Sequence, residues 1–277
     1  MTVADAPPVP LEPGRELLPG YRVDEHLARG QVLDVYAVWS DARECLCVAK
    51  TMRPDRLDDR DARHRLLEEG RLLARLTHPH LVRGYETTRR PRPTLILETL
   101  QGETLGHLLD RRRCGLPAGD LVELGVQLCS VVGYLHRNTT LHLDLKPSNV
   151  VAEAGRARLL DLSHARPPGP CPPGFGTREY MAPEQLLGQQ VGEATDVYGL
   201  GGVLYRAATR RRPFTADGRE GHTGRRPSFT PLRRRVLPRP FVQLVVAGLD
   251  PRPAGRPTVA EMMAVLTGLR PEETGRS

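Results

Sequence analysis

Short apolar runs in the first third of the chain give way to longer helical patterns after Gly102. Between Tyr21 and about Leu100, four runs have the composition and spacing of strands. They lie at Val32–Val38, Leu46–Ala49, Leu81–Tyr85 and Thr94–Leu97. One helix is predicted between the second and third runs, at about 61–76. These patterns predict an α+β protein with a small β-rich N-terminal part and a larger, mainly helical C-terminal part.

The C-terminal part contains clear helix-start signals. Asp120 is followed three residues later by Glu123, and Thr258 is followed in the same way by Glu261, so both positions predict a capping box. A further apolar helix is predicted at Val197–Ala208. No internal repeat is present, and 277 residues are enough for one large domain or two small lobes.

Both ends of the chain are predicted to lie outside the folded part. Residues 1–20 are proline-rich and predict a flexible leader, and residues 271–277 predict a short polar tail. No run approaches the ~20 uninterrupted apolar residues of a membrane helix, and the N-terminus lacks the basic start and apolar centre of a signal peptide. We therefore expect a cytoplasmic protein that does not bind a membrane.

The charge and cysteine content exclude two further classes of site. The net charge of +7 comes from short arginine clusters without interleaved aromatic residues, which predicts solvated surfaces and no nucleic-acid partner. The clusters are Arg89–Arg92, Arg111–Arg113, Arg210–Arg212 and Arg233–Arg235. Five cysteines without a repeated spacing predict reduced thiols, and the His78-Pro-His80 pair predicts a surface turn rather than a metal site.

Only two of the 40 basic residues are lysine, Lys50 and Lys146. In a chain this biased towards arginine, a retained lysine is expected where a compact ammonium is needed and a planar guanidinium would not fit. Two chance survivors would lie anywhere in the sequence. The motifs around them decide between these interpretations.

The segment Leu141–Asn149 is the most specific motif in the chain. It matches the catalytic-loop pattern H-R-D-L-K-P-x-N at every position but one, which a polar surface loop would not explain. On this motif and those below, the chain resembles the eukaryotic-type serine/threonine protein kinases of bacteria over roughly residues 21–269. The resemblance implies a bilobal protein-kinase fold, with residues 21–100 as the N-lobe and 101–270 as the C-lobe. It also implies ATP as phosphate donor and protein Ser or Thr hydroxyls as acceptors.

The resemblance implies a role for three polar residues at the catalytic loop. Asp144 would orient the substrate hydroxyl and accept its proton, and Lys146 would neutralise charge on the transferred phosphate. Thr177 would bridge to both of them. It lies in Gly176–Glu184, which matches the family pattern G-T-x-x-Y-x-A-P-E.

The resemblance also implies supporting contacts around this loop. Glu184 would pair with Arg256, and Asp196 would brace the backbone of the catalytic loop. Three side chains would form an apolar spine, namely Leu73, His142 and Leu162.

A metal site follows from a predicted hairpin. Val150–Ala152 and Ala157–Leu160 are apolar runs around a short turn, so antiparallel pairing would bring Asn149 close to Asp161. An amide oxygen and a carboxylate oxygen are suitable ligands for Mg²⁺ or Mn²⁺. Asp161 also begins Asp-Leu-Ser, at the position of the family's D-F-G.

Lys50 has a predicted partner on the helix at 61–76. Glu69 is three residues from Leu66 and Leu72, so it lies on the apolar face of the helix, where an unpaired carboxylate is costly. Lys50 ends Cys-Val-Ala-Lys, at the position of the family's V-A-I-K lysine. The resemblance implies that it holds the α- and β-phosphates of ATP and pairs with Glu69.

The remaining nucleotide contacts are implied by the resemblance alone. They involve the glycine-rich loop, the facing strands and the hinge, with Leu97 at the gatekeeper position. The residues at these contact positions are Leu27, Gly30, Val35, Val48, Glu98 and Leu100. The loop departs from the family pattern, because Ala28 and Leu33 replace two of its three glycines.

A second departure concerns regulation. Leu143 replaces the arginine that reads a phosphate on the activation loop in the family, and residues 164–176 contain no Ser, Thr or Tyr. One change of regulation explains both losses, so we expect a kinase that is not activated by phosphorylation of this loop. Its prolines predict a stiff loop held by packing, with Cys171 an inert thiol.

Two other functions remain open at the sequence level. The degenerate loop and the Asp161-Leu-Ser sequence are compatible with a pseudokinase that binds ATP or proteins as a scaffold. A small-molecule kinase of the same fold is disfavoured, because Lys146 and the Gly176–Glu184 segment are typical of protein kinases. A homodimer is also left open.

Overall fold

The computed structural model describes residues 8–213 and 237–270, which form two compact units. The first comprises the chain up to Thr77 together with Val82–Gln101, and the second comprises His78–Leu81 and the residues from Gly102 onwards. The predicted division at 100/101 did not assign residues 78–81 to the second unit. Leu81 belongs to the second unit because it forms a parallel bridge with Leu159. The arginine cluster at 233–235 and the tail at 271–277 lie outside the described residues.

The first unit is built on a six-stranded antiparallel sheet with strand order β1-β2-β3-β4-β6-β5. The strands are β1 (Glu16–Leu18), β2 (Tyr21–Arg29), β3 (Leu33–Ser40), β4 (Cys45–Met52), β5 (Gly84–Thr88) and β6 (Thr94–Glu98). Alternate residues of β3 and β4 are buried in one core, among them Tyr36, Val38 and Cys47. The predicted strand at Leu81–Tyr85 begins three residues later than expected.

The predicted flexible leader is wrong for residues 16–18. These residues form β1, which pairs with β2, and Leu17 and Leu18 are buried in the core of the first unit. The burial of two leucines outweighs the prolines around them. The backbone N–H of Leu11 also donates to the Tyr36 hydroxyl at 3.1 Å. Residues 1–7 lie outside the described part of the chain.

One helix, α1 (Arg60–Arg75), packs on the sheet of the first unit. Its first turn is capped by Asp59, whose carboxylate accepts a hydrogen bond from the Ala62 N–H at 2.8 Å. Gly70 allows the helix to approach β5 closely, because a Cβ there would lie 2.0 Å from Thr87 Oγ1. The helix predicted at 61–76 is confirmed, with a shift of one residue.

The second unit is mainly helical and also contains short strands. Its helices are α2 (Leu105–Arg111), α3 (Ala118–Arg137), α4 (Pro183–Leu186), α5 (Glu193–Thr209), α6 (Arg239–Gly248) and α7 (Val259–Thr267). Its strands are β7 (Glu103–Thr104), β8 (Val150–Glu153), β9 (Arg156–Leu159), β10 (Gly169–Pro170) and β11 (Gln190–Val191). Strands β7, β8 and β9 form one sheet, and β10 pairs with β11.

One predicted helix start is confirmed and the other is wrong. Thr258 and Glu261 form the capping box of α7, with the Glu261 N–H donating to Thr258 Oγ1 at 3.1 Å. Helix α3 begins at Ala118 with Pro117 as its N-cap, two residues before Asp120. Glu123 instead accepts hydrogen bonds from Arg270 at 2.8–3.0 Å.

Helix α3 is long and apolar enough to cross a membrane, the one such helix in the described part of the chain. A little over half of its most apolar window is buried inside the protein. Burial of this kind is typical of the central helix of a folded core, which passes the same test of length and composition. In the second unit it packs against α5 and α7.

Candidate active site

Asp144 and Lys146 form a short ionic contact on the catalytic loop. Lys146 Nζ donates to Asp144 Oδ2 and to Thr177 Oγ1, both at 2.7 Å. The Asp144 side chain is almost fully buried, and its Oδ1 has no hydrogen-bond partner among the described residues. The structure therefore brings the three predicted residues together around the Asp144 carboxylate.

The backbone of this loop is held by a buried carboxylate on α5. Asp196 accepts hydrogen bonds from the N–H groups of His142 and Leu143, both at 2.8 Å. His136 Nε2 lies 2.9 Å from Asp196 Oδ2, the oxygen that accepts from the His142 N–H. Leu143 has a φ of +61°, a left-handed conformation that costs energy for a non-glycine residue. The two hydrogen bonds that Asp196 accepts stabilise this conformation.

Asn149 is oriented by its hydrogen bonds to Asp144. Its Nδ2 donates to the Asp144 backbone O at 2.9 Å and to Asp144 Oδ2 at 3.2 Å, so its Oδ1 points away from Asp144. An amide oxygen held in this way is suited to a hard cation. The described residues contain no cluster of three or more His, Cys, Asp or Glu side chains at metal-binding distance.

The hairpin predicted after Asn149 is confirmed, but with a different register. Val150 pairs with Leu159, and a two-residue turn at Ala154–Gly155 joins β8 and β9. Both turn residues have positive φ, +46° and +79°, as a type I′ turn requires. Asn149 therefore lies opposite Leu160, whose N–H donates to the Asn149 O at 2.8 Å, and Asp161 follows one residue later.

Lys50 and Glu69 form an ion pair within the first unit. Lys50 Nζ donates to Glu69 Oε1 at 2.8 Å, and the Glu69 side chain is fully buried. Glu69 lies on the same buried face of α1 as Leu66 and Leu73. The helical spacing in the sequence was therefore sufficient to find this pair.

Two of the residues predicted to contact adenine, Val35 and Val48, share one face of the sheet. Val35 lies directly opposite Lys50, and Val48 lies opposite Leu97. Directly paired residues of antiparallel strands project to the same side. Leu27 is exposed, Leu97 is buried, and Glu98 accepts a hydrogen bond from the Arg83 N–H at 2.6 Å. Gly30 and Leu100, the other two predicted contacts, lie in the β2–β3 loop and just after β6.

The Gly176–Glu184 segment is fixed by a buried ion pair. Arg256 Nη1 and Nη2 donate to the two carboxylate oxygens of Glu184 at 2.6 and 2.9 Å. Gly176 has a φ of +125°, and a Cβ there would lie 2.8 Å from the Leu143 O. Glycine is therefore required where the segment approaches the catalytic loop.

The sequence did not reveal how Leu143 connects to the activation loop. Leu141, Leu143, Cys171 and Val191 form a buried apolar cluster, and Phe175 packs against it. Gln185 Nε2 donates to the backbone oxygens of Leu143 and Phe175, both at 2.8 Å. The apolar character of all five cluster residues is visible in the sequence, but residues this far apart could be grouped only once the chain was folded.

His164 is a second feature that the sequence did not reveal. Its Nδ1 lies 3.9 Å from Asp144 Oδ2, and its ring packs edge-on against Phe175 at 4.8 Å. Burial lowers the pKa of His164, while the negative charges of Asp144 and Asp161 act in the opposite direction. Cys171 is a buried free thiol whose pKa is raised by burial, as expected for an inert cysteine.

Sequence comparison assigns this site to a family. Residues 21–265 match the protein kinase domain, and the chain therefore belongs to the protein kinase family. The two-unit α+β architecture is the bilobal fold of that family.

Several bacterial relatives have been curated as serine/threonine-protein kinases. The chain is 33% identical to the protein named "Probable serine/threonine-protein kinase PkwA" of Thermomonospora curvata, over 93% of its own length and 35% of that protein. It is 30% identical to PknB of Mycobacterium tuberculosis over 89% of its own length and 42% of that protein. It is 27% identical to PksC of Streptomyces coelicolor over 90% and 49% of the two chains. The chain thus spans a third to a half of these relatives.

Proposed function

We propose that this protein is a serine/threonine protein kinase that transfers the γ-phosphoryl group of ATP to protein hydroxyls in a Mg²⁺-dependent reaction. The observation that carries the proposal is the Lys146 ammonium held between Asp144 Oδ2 and Thr177 Oγ1. The curated relatives, all serine/threonine-protein kinases by name, support the same reaction class.

The arrangement supports in-line transfer to a hydroxyl. Asp144 Oδ1 would accept the hydrogen bond of the substrate hydroxyl and take its proton as the oxygen attacks the γ-phosphorus. The bond from that phosphorus to the β,γ-bridging oxygen breaks, and ADP leaves. Lys146 would stabilise negative charge on the transferred group, and Thr177 fixes the ammonium in place. Catalysis then rests mainly on positioning and charge neutralisation.

Two residues are suited to hold the metal ion, Mg²⁺ or Mn²⁺. They are Asn149, through its Oδ1, and Asp161, through its carboxylate. The bound ion would neutralise charge on the phosphates. Lys50, held by Glu69 at 2.8 Å, would bind the α- and β-phosphates.

A pseudokinase that acts as an ATP- or protein-binding scaffold is the main alternative. The buried Lys50–Glu69 pair and the contact of Lys146 with Asp144 favour catalysis, because a scaffold does not require either. The test uses radiolabelled ATP and a generic basic acceptor protein. We expect label on Ser or Thr with the wild type and background label with Asp144→Ala. Equal labelling by both proteins would support the pseudokinase.

We further propose that the kinase is active without phosphorylation of its activation loop. The cluster of Leu141, Leu143, Cys171 and Val191, with Phe175 packed against it, connects the catalytic loop to this segment. Apolar packing thus stands where the family pattern has an arginine and a phosphate. Pairing of β10 with β11 adds backbone hydrogen bonds to the same segment. No phosphate is needed for these contacts.

Leu143→Arg should lower the phosphotransfer rate about tenfold or more. The guanidinium would have to be hydrated, which requires the cluster to open. A cost of about 1.4 kcal/mol for opening already shifts the equilibrium between the closed and the open cluster tenfold. The measurement is kcat/KM beside thermal unfolding. Leu187→Arg is the control, because Leu187 is exposed. Wild-type kinetics in Leu143→Arg would contradict the role of the cluster.

Location and binding partners stay at the level of sequence-based predictions. A cytoplasmic location, protein substrates, and the absence of nucleic-acid and membrane partners stay predictions. A homodimer also stays open.

A further inference from the structure

A buried arginine lies next to the glycine-poor loop between β2 and β3. Arg53 follows β4 and is 8% exposed. Its Nη1 donates to the backbone oxygens of Gly30 at 3.1 Å and Gln31 at 3.3 Å. Its own backbone N–H donates to the Val32 O at 3.0 Å. Three consecutive carbonyls of the loop therefore point towards one residue.

The guanidinium of Arg53 is itself held in place. Asp55 accepts hydrogen bonds from Arg53 Nε at 3.0 Å and from Nη2 at 2.7 Å, a bidentate geometry that fixes the plane of the group. The hydrogen bond from Arg53 lowers the pKa of Asp55, which therefore stays ionised. The remaining nitrogen, Nη1, is the one that contacts the loop.

The base of the loop is closed by a second pair. Arg29 and Asp34 lie directly opposite each other on β2 and β3, and Arg29 Nε and Nη2 donate to the two oxygens of Asp34 at 2.8 and 2.9 Å. Burial alone would raise the pKa of Asp34, but hydrogen bonds from Arg29 and His26 lower it. The Asp34 carboxylate is therefore charged and paired.

The hydrogen bonds of Arg53 and the Arg29–Asp34 pair explain why the loop does not require glycine at positions 28 and 33. Among the described residues, all those with positive φ lie outside 28–33, so Ala28 and Leu33 adopt conformations open to any side chain. The backbone freedom of glycine would be needed only if the loop adopted left-handed conformations. Here Arg53 sets the direction of the peptide groups instead.

We infer that Arg53 is a positioning residue that presents the N–H groups of Gln31 and Val32 to the phosphates of ATP. In a planar trans peptide the N–H points opposite to the C=O of the same unit. Since the Gly30 and Gln31 carbonyls point to Arg53, the two N–H groups point to the other side of the loop. Successive N–H groups on one side form an anion-binding arrangement. This inference rests on the proposed function, because it assigns the anion as ATP.

The test compares a ligand with phosphates and a ligand without them. Binding of ATP and of adenosine is measured by calorimetry for the wild type, Arg53→Leu and the surface control Arg71→Leu. We expect Arg53→Leu to weaken ATP binding about tenfold, since hydrogen bonds to charged groups are strong, and to leave adenosine within about twofold. Arg71, which pairs with Glu68 on the exposed side of α1, should affect neither ligand.

The outcomes separate the inference from the proposed function. Equal weakening of ATP and adenosine, or unchanged ATP binding, would overturn the role of Arg53 while leaving the kinase proposal intact. A wild type that binds adenosine but not ATP would overturn both. If Arg53→Leu does not fold, Asp55→Asn replaces it, because this variant keeps Arg53 but loosens its anchor. A loss selective for ATP is again the expected result.

Discussion

Arg256→Met is expected to lower the free energy of unfolding by about 3–5 kcal/mol, because it leaves the Glu184 carboxylate buried without its counter-charge. Both side chains of the pair are almost fully buried. Arg256 also donates to the backbone oxygens of Asp250 and Ala194, both at 2.8 Å. Chemical denaturation with a two-state fit measures the loss.

A matched control separates the buried pair from a general effect of charge. Arg252→Met removes an arginine from the same loop, but its side chain is 82% exposed, so we expect a change below about 0.5 kcal/mol. Adding Glu184→Gln to Arg256→Met should recover part of the loss, since no buried charge then remains. A loss below about 1 kcal/mol in Arg256→Met would contradict the structural role of the pair.

Lys50→Arg should preserve the fold and reduce kcat/KM about 10²–10³-fold, the range seen when one preorganised electrostatic contact is lost. The larger guanidinium retains a charge for Glu69 but cannot keep a compact ammonium 2.8 Å from Glu69 Oε1 while also meeting phosphate. Steady-state kinetics and thermal unfolding are measured together. Arg22→Lys, an exposed exchange on β2, is the control and should retain full activity.

Full activity in Lys50→Arg would remove the strongest reason to prefer catalysis over a scaffold. Loss of activity together with loss of the fold would point to a packing role for Lys50. The informative combination is therefore a wild-type unfolding temperature with a large loss in rate.

Local patterns in the sequence were sufficient for most of the site. Glu69 was placed by helical spacing, and the chemistry of a buried carboxylate pointed to Lys50 as its partner. The hairpin after Asn149 was likewise set by two short apolar runs around a turn. These features depend on neighbours within a few residues or on one strong motif.

Features that depend on distant contacts were not predictable. The sequence alone places Leu17 and Leu18 in a proline-rich leader, because their burial depends on strands that follow later in the chain. The strand expected at Leu81 starts later, since Leu81 pairs with Leu159 instead. The sequence does not distinguish Arg53 from the other arginines, because its three hydrogen bonds to loop carbonyl groups form only in the folded chain.

The two departures from the family pattern have similar explanations. The β2–β3 loop lacks two of the family's three glycines and is held by Arg53, and the catalytic loop lacks an arginine and packs through Leu143. In each case fixed contacts stand where the family pattern has flexibility or a phosphate. A kinase built in this way should need no phosphate on its activation loop to be active.

The initial rate of the phosphatase-treated wild type tests this claim most directly. The protein is mixed with γ-labelled ATP and an acceptor protein, Asp144→Ala provides the background, and mass spectrometry follows phosphate on residues 164–177. We predict linear product formation from the first time point, with no phosphate on that segment. A rate equal to that of Asp144→Ala, or a lag that ends as phosphate appears on the segment, would contradict it.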